Sequence, residues 1–387
     1  MKYVILVGDG MADRPLKKLG GKTPLEAART PNMDFIARNG VSGMVSTIPH
    51  GMQSGSDVAN LSLFGYDPKK YYTGRGPLEA ISRGIKLRPR DVAFRCNTVK
   101  IEGGRMADYS AGHISTAEAA KVIRLIDKEL GDKKIRFFPG VSYRHLCVIE
   151  GGPDKAKCTP PHDISGKPIA KYLPKGKGAE PLNILMEESM EILSSRKFKA
   201  NMVWLWGQGK TPRMPRFPLK GSVITAVDLI KGIGLAIGLK VINVPGATGY
   251  LDTNYLGKAN HALRSLEKND FVFVHVESPD EAGHEGNVKH KIRAIEDFDR
   301  FVVGTVLKGL KKLSLSGAHG FRDFKLMVLP DHPTPVSLKT HSSEPVPFAI
   351  YSSGGRGNGC SAYSEREARR TGLVVPKGHD LIRMFTR

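Results

Sequence analysis

Three short apolar runs along the chain share one layout, because each is followed within a few residues by an aspartate. The pairs are residues 3–7 with Asp9, residues 271–276 with Asp280, and residues 326–329 with Asp331. Runs of this length, rich in β-branched residues, are typical of buried strands in a parallel sheet. Open α/β sheets bind ligands beyond the carboxyl ends of their strands, and the three aspartates fall at that position.

Helical spacing fills the stretches between these strands and predicts an α/β fold. The predicted helices cover residues 24–37, 57–64, 117–129 and 288–307, and further strands are predicted at 202–206, 223–227 and 241–244. The middle of the chain differs, since it has scattered short strands and two Pro/Gly/Lys-rich stretches, 153–168 and 174–178. We therefore predict a doubly wound sheet domain formed by 1–85 and 200–387, with a smaller α+β domain, 86–199, inserted into it.

Composition narrows the class of protein. The 387 residues are 40% hydrophobic and 25% charged, which is typical of a folded globular chain. Apolar runs are too short to cross a membrane, so we expect a soluble, cytoplasmic protein without a membrane partner. Four cysteines without CxxC spacing argue against a zinc ribbon or a disulfide framework. The net charge of +21 is spread along the chain and aromatic residues are only 7%, so nucleic acid is not the expected ligand.

Two of the three aspartates have histidines close to them in the sequence. Asp280 and His284 are four residues apart, so on a helical turn they face the same way. Asp331 and His332 end a predicted strand, and two prolines stiffen the chain that follows. Carboxylate and imidazole together suit Mn²⁺, Zn²⁺ or similar ions. Taken singly, each pair is equally compatible with a helix cap or an ordinary polar turn.

A glycine-bracketed aspartate and a serine complete the candidate chemistry. Asp9 lies between two glycines that let the backbone bend at a strand end. Ser56 is predicted to be the N-cap of a helix, where a phosphate carried on its hydroxyl would be stabilised. Coordination to a metal would activate that hydroxyl as a nucleophile. Simple helix capping is the alternative for Ser56.

Several sequence blocks together resemble the archaeal-type cofactor-independent phosphoglycerate mutases of the alkaline phosphatase superfamily. The blocks are VGDGMAD (7–13), GGKTPLEAARTPNMD (20–34), GSDVANLSLFGYDP (55–68), GRGPLEA (74–80), DYSAGHIST (108–116), VPGATGYLDTNYLGKA (244–259), HVESPDEAGHEG (275–286) and LPDHPTP (329–335). They span nearly the whole chain. The resemblance implies an alkaline-phosphatase-like, metal-dependent domain carrying an inserted substrate-binding domain.

The resemblance also implies two divalent ions and assigns ligands to them. One ion would be held by Asp280, His284 and His341, and the other by Asp9, Ser56, Asp331 and His332. Mn²⁺ is the expected metal, with Zn²⁺, Co²⁺ or Mg²⁺ as alternatives, because Asp/His sets accept several ions. His341 is assigned by the resemblance alone.

The activity implied is the interconversion of 3-phosphoglycerate and 2-phosphoglycerate without 2,3-bisphosphoglycerate, a step of glycolysis and gluconeogenesis. Ser56 would take the phosphate of this small anionic substrate, and the glycerate would turn and recover it on its other hydroxyl. His113 would assist proton transfer. Arg144, Arg75 and Lys231 are candidates to bind the substrate's anionic groups, with a solvated surface charge as the alternative for each. The oligomeric state stays open.

Two other functions fit parts of the pattern. A related phosphotransferase on another small substrate, such as a homoserine kinase-like enzyme, would use the same metal ligands. A non-catalytic protein that binds anions or nucleic acid would need only the scaffold and the charge. Residues 52–55 stand where relatives are expected to carry two prolines, and Arg83 stands where a small or apolar residue is more usual. Both departures bear on the identity of the substrate.

Overall fold

The computed structural model of the chain describes residues 1–317 and 322–387. These residues form two compact units, one built from Met1–Tyr72 and Met214–Arg387 and the other from Thr73–Arg213. The predicted insertion, 86–199, lies within the second unit. In the described part of the chain, no helix has the length and apolar character needed to cross a membrane.

Thirteen strands are present among the described residues. In chain order they are β1 (Lys2–Gly8), β2 (Val41–Val45), β3 (Asp91–Glu102), β4 (Arg105–Asp108), β5 (Ile135–Val141), β6 (Arg144–Glu150), β7 (Met202–Gly209), β8 (Gly221–Ile224), β9 (Lys240–Ile242), β10 (Phe271–Val276), β11 (Phe324–Leu329), β12 (Val346–Ser352) and β13 (Val374–Val375).

Fourteen α-helices occur in the same described ranges. They are α1 (Pro24–Ala27), α2 (Pro31–Asn39), α3 (Ser56–Leu63), α4 (Pro68–Tyr71), α5 (Arg75–Ser82), α6 (Thr116–Leu130), α7 (Glu180–Ser194), α8 (Asp228–Ala236), α9 (Tyr255–Ser265), α10 (Ser278–Glu285), α11 (Val288–Asp297), α12 (Gly304–Ser316), α13 (Glu365–Arg370) and α14 (Leu381–Thr386). Short 3₁₀ turns cover Lys17–Leu19, Pro161–Ile164, Ile169–Lys171 and Gly378–Asp380, and a π-helical turn covers Phe298–Val303.

The first unit is built on an eight-stranded sheet in the order β13-β2-β12-β11-β1-β10-β8-β9. Its centre is parallel, because β1 pairs in parallel with both β11 and β10. Helices cover both faces. Along β10, Val272 and Val274 pack in the cluster that includes α9 and α12, whereas Phe273 stacks on Phe64 beside α3, with the ring centroids 4.2 Å apart. The predicted α/β, doubly wound fold is confirmed.

The second unit has its own five-stranded antiparallel sheet. The long strand β3 pairs with β6 and β7, and its end pairs with β4. Strand β7, which was predicted as residues 202–206, therefore belongs to this sheet. Its core is continuous and includes Trp204, which is fully buried.

Two predicted helices are interrupted. The stretch 24–37 forms two helices, α1 and α2, because Ala28 adopts an extended conformation (ψ 149°) and the second helix begins at Pro31. Proline lacks an N–H and favours the first position of a helix, so it starts a new helix here. The stretch 288–307 passes through the π-helical turn between α11 and α12.

Candidate active site

The central strands of the first unit deliver the three predicted aspartates to one edge of the sheet. Asp9 follows β1, Asp331 follows β11, and Asp280 lies in the first turn of α10 just after β10. The backbone at Gly10 has φ 61°, and a Cβ there would lie 2.5 Å from Oδ1 of Asp280. This position therefore requires glycine, both for its conformation and for the close approach of Asp280.

Asp280, His284 and His341 form one cluster. Nε2 of His284 lies 3.2 Å from Oδ2 of Asp280 and 3.0 Å from Nε2 of His341. Nε2 of His341 lies 3.5 Å from Oδ1 of Asp280. Asp280 and His284 are one turn apart on α10, as their spacing predicts, whereas His341 comes from the loop before β12.

Asp9, Asp331, His332 and Ser56 form the second cluster. Nε2 of His332 lies 3.5 Å from Oδ1 of Asp9, 3.6 Å from Oδ2 of Asp331 and 3.1 Å from Oγ of Ser56. All but Ser56 are at most 1% exposed. A serine hydroxyl thus lies beside the most deeply buried carboxylates and imidazole of the site.

His332 joins the two clusters. A ring nitrogen of His332 lies within 4.8 Å of carboxylate oxygens of Asp9 and Asp331, and a ring nitrogen of the same residue lies within 4.8 Å of ligand atoms of Asp280 and His341. The ring centroids of His332 and His341 are 4.3 Å apart. The resemblance assigns His332 to the second ion alone, whereas the geometry places it between both groups.

Two histidines have tautomers that suit metal binding. Nδ1 of His284 donates to the carbonyl oxygen of Lys339 at 3.1 Å, which leaves Nε2 directed at Asp280 and His341. Nδ1 of His332 lies 3.3 Å from Oγ1 of Thr334, whose hydroxyl in turn donates to Asp280. A ligating histidine commonly donates its other ring N–H in this way. The donor set therefore fits divalent cations.

The surroundings of Asp9 and Asp280 shift the pKa values of these two carboxyl groups in opposite directions. Burial and the charges of Asp331 and Asp280 raise the pKa of Asp9 well above its usual range. Burial also disfavours ionised Asp280, but hydrogen bonds with His284 and His341 hold the pKa of that carboxyl well below its usual range. Three aspartates in one water-poor site repel each other, and bound cations would relieve that repulsion.

Ser56 is the first residue of α3, and the prediction that it caps the helix is wrong. Gly55 is the N-cap, with an extended backbone (φ 172°). Because Ser56 stands one position later, its hydroxyl contacts His332 instead of a backbone N–H of its own helix. The hydroxyl lies at the positive end of the helix dipole, where an anion is favoured.

The predicted substrate-binding residues fall in both units. Lys231 lies on α8 of the first unit, and its Nζ pairs with Asp228 at 3.3 Å. Arg75, Arg144 and His113 lie in the second unit. Arg75 begins α5, Arg144 begins β6, and His113 is an exposed residue with φ 49°. Its turn is built on Asp108, which accepts hydrogen bonds from the backbone of Ser110 and Gly112.

Arg95, which sequence reasoning missed, shares the ring of Trp206 with Arg75. Its guanidinium carbon is 4.4 Å from the ring centroid of Trp206, and that of Arg75 is 5.8 Å from the same ring. Nε of Arg95 lies 3.2 Å from Oε1 of Glu79. The pKa of Arg95 is lowered to about 10, chiefly by burial; Glu79 opposes this shift, and the positive charges of Arg75 and Arg144 add to it. Arg95 reads in the sequence as an ordinary strand residue, so no local signal marked it.

Around the metal-ligand clusters, sequence reasoning also missed several polar residues that hold the aspartates in place. They are Asn60, His275 and Thr334, which approach Asp331, Asp9 and Asp280 respectively. Each is fully buried. The sequence carried one signal of such a residue, which is a polar side chain inside an apolar run, as His275 is within β10.

Known proteins match the chain over its whole length. A family model described as 2,3-bisphosphoglycerate-independent phosphoglycerate mutase matches residues 37–199. The probable enzyme of that name from Geobacter sulfurreducens is 51% identical over 100% of this chain and 99% of its own length. The enzyme from Methanosarcina barkeri is 50% identical over 99% and 98%. The chain belongs to the 2,3-bisphosphoglycerate-independent phosphoglycerate mutase family.

Solved structures agree with this membership. A protein from Pyrococcus horikoshii is 31% identical, with a TM-score of 0.82 over 100% of this chain and 96% of that one. The cofactor-independent phosphoglycerate mutase from Thermoplasma acidophilum is 28% identical, with a TM-score of 0.65 over 100% and 99%. The resemblance seen in the sequence blocks is confirmed, and the chain is an enzyme of this isomerase family.

Proposed function

We propose that this enzyme interconverts 3-phosphoglycerate and 2-phosphoglycerate through a phosphoserine at Ser56, with two divalent ions and without 2,3-bisphosphoglycerate. The observation that carries the proposal is the position of the Ser56 hydroxyl, 3.1 Å from His332 at the edge of the buried carboxylate and histidine clusters. The names of relatives about 50% identical over the full chain support the same reaction.

Seven side chains would hold the ions. One group is Asp280, His284 and His341, the other is Asp9, Ser56, Asp331 and His332, and His332 adjoins both. Bound ions would supply charge to lower the pKa of the Ser56 hydroxyl and to neutralise the transferring phosphate. Mn²⁺ is the proposed metal, and Zn²⁺, Co²⁺ or Mg²⁺ would suit the same donors.

The chain's own residues account for the remaining steps. Oγ of Ser56 forms a bond to phosphorus as the bond to the glycerate C3 oxygen breaks, and the phosphoserine lies at the N-terminus of α3. The C2 oxygen of glycerate then attacks phosphorus and restores the serine. Ser56 enters and leaves this cycle as the alkoxide, and His113 would give a proton to the C3 oxygen and take one from the C2 oxygen, so the proton balance closes.

The arginines of the second unit would bind an anionic group of the substrate. Arg75 and Arg95 both approach the ring of Trp206, and the charge of Arg144 helps to lower the pKa of Arg95. Guanidinium groups bind carboxylate and phosphate through paired hydrogen bonds, so a planar cation is the suitable partner for glycerate. Lys231 remains a candidate in the first unit.

The proposal predicts turnover that depends on metal but not on 2,3-bisphosphoglycerate. The enzyme is assayed for conversion of 3-phosphoglycerate with Mn²⁺ and no added bisphosphoglycerate, then after treatment with EDTA. We expect turnover to disappear with EDTA and to return with excess Mn²⁺. Folded protein without turnover in Mn²⁺, Zn²⁺, Co²⁺ and Mg²⁺ would contradict the proposal. Phosphorylation of homoserine from a phosphate donor, in that case, would favour the related phosphotransferase.

A second prediction tests the arginines. Arg95→Lys keeps the charge beside Glu79 but removes the planar fork, so we expect KM for 3-phosphoglycerate to rise about tenfold, the loss of about 1.4 kcal/mol. Arg105→Lys is the matched control, because Arg105 is an exposed arginine of the same unit that donates to the carbonyl of Gly166. Equal KM values for the two variants would show that Arg95 does not bind the substrate.

A further inference from the structure

We infer that Asn60 is a positioning residue that sets Ser56 relative to Asp331. Its side chain is completely buried. Nδ2 of Asn60 donates to the carbonyl oxygen of Ser56 and to Oδ2 of Asp331, both at 2.8 Å. One amide group thus links the segment that carries the nucleophile to a proposed metal ligand. The inference rests on the proposed function of these two residues.

The position of Asn60 in α3 explains how it reaches both partners. It lies four residues after Ser56, so its side chain stands one helical turn away on the same face. Helix α3 is linked to Asp331 by a second route. Ser62 of α3 donates to the carbonyl of Thr47, and the hydroxyl of Thr47 donates to the backbone carbonyl of Asp331. The second link holds the backbone of Asp331, whereas Asn60 acts on its carboxylate.

The hydrogen bonds of Asp331 divide between its two oxygens. Oδ1 accepts from the backbone N–H groups of Gly10 and His332, at 3.1 and 2.8 Å. Oδ2 accepts from Asn60 and also lies 3.6 Å from Nε2 of His332. Hydrogen bonds therefore hold the carboxylate at both oxygens, which fixes its plane.

An amide suits this position better than a charged donor. A lysine or arginine would neutralise Asp331 and compete with a cation, whereas a neutral amide orients the carboxylate and leaves its charge in place. Oδ1 of Asn60 is buried and has no hydrogen-bond partner among residues 1–317 and 322–387. An unpaired buried acceptor is unfavourable, so any favourable contribution of Asn60 comes from the hydrogen bonds that its Nδ2 donates.

Binding of Mn²⁺ to the EDTA-treated full chain, measured by calorimetric titration, tests the inference. Asn60→Ala removes both hydrogen bonds. Asn60→Ser keeps a hydroxyl able to bond back to Ser56, but too short to reach Asp331. Asn269→Ala is the matched control, because Nδ2 of buried Asn269 donates to the carbonyl and the hydroxyl of Ser265 at the opposite edge of the sheet.

We expect both Asn60 variants to weaken Mn²⁺ binding at least about tenfold, the usual effect of losing a group that orients a metal ligand. The control should bind within about twofold of wild type. In turnover of 3-phosphoglycerate, kcat should fall while KM changes little, because the arginines that would bind substrate are untouched. If Asn60→Ala does not fold, Asn60→Ser still isolates the link to Asp331.

Two results would overturn the inference. Mn²⁺ affinity of the folded Asn60 variants equal to that of Asn269→Ala would show a merely structural role. Wild-type protein that binds no Mn²⁺ would overturn the proposed metal site and this inference together. Wild-type protein that binds Mn²⁺ but leaves 3-phosphoglycerate unchanged would contradict only the reaction, and the comparison of affinities would still decide the role of Asn60.

Discussion

Replacing Ser56 by alanine is expected to lower kcat for 3-phosphoglycerate at least about a thousandfold, because no other group takes its place as nucleophile. The hydroxyl contributes both the attacking oxygen and a proposed metal ligand, so the remaining side chains cannot supply either function. The fold should survive, since Ser56 stands at the first position of α3 and Gly55 provides the N-cap.

Ser54→Ala is the matched control, because it removes a hydroxyl from the same loop two residues earlier. Intact-protein mass spectrometry after mixing with substrate should detect one added phosphate on wild type and on Ser54→Ala, and none on Ser56→Ala. Turnover that survives Ser56→Ala would eliminate the phosphoserine mechanism, whatever the metal content of the variant.

Replacing His332 by alanine is expected to weaken both metal sites and to reduce kcat about as far as the loss of Ser56. The reason is that His332 can offer a ring nitrogen to the group with Asp9 and Asp331 and also to the group with Asp280 and His341. His284→Ala should weaken one site only, since its described contacts are with Asp280, His341 and the carbonyl of Lys339.

Titration with Mn²⁺ distinguishes these outcomes by stoichiometry. We expect two ions per chain for wild type, one tight ion for His284→Ala, and no tight ion for His332→Ala. His261→Ala serves as the control, because this histidine lies on α9 and bonds back to the carbonyl of Gly257. If His332→Ala keeps one tight site, His332 binds only one of the two ions, as the resemblance implies.

Local pattern was sufficient to predict the framework of the site. The short apolar runs became β1, β10 and β11, which lie side by side at the centre of the sheet. Parallel strands end at a common edge, so an aspartate after each run had to fall near the other two. The spacing of Asp280 and His284 likewise predicted their contact, because four residues make one helical turn.

Contacts between distant segments were not visible in that pattern. His341 reaches the site from a loop, and no periodicity ties it to Asp280; only the resemblance indicated it. Arg95 meets Arg75 and Trp206 because β3 pairs with β7 across more than a hundred residues of chain, and α5 packs on the same strands. Pairing and loop conformation of this kind arise when the whole unit packs.

The sequence by itself therefore determined the α/β class, the three aspartates and the local Asp280–His284 pair, because these depend on strand ends and on one helical turn. Tertiary structure alone decided that His332 lies between both clusters, that Asn60 bridges Ser56 and Asp331, and that Gly55 caps α3 in place of Ser56. The physical reason is that each depends on where a side chain from one element lies relative to another, at distances of a few ångströms. Residue type and spacing along the chain do not specify such distances.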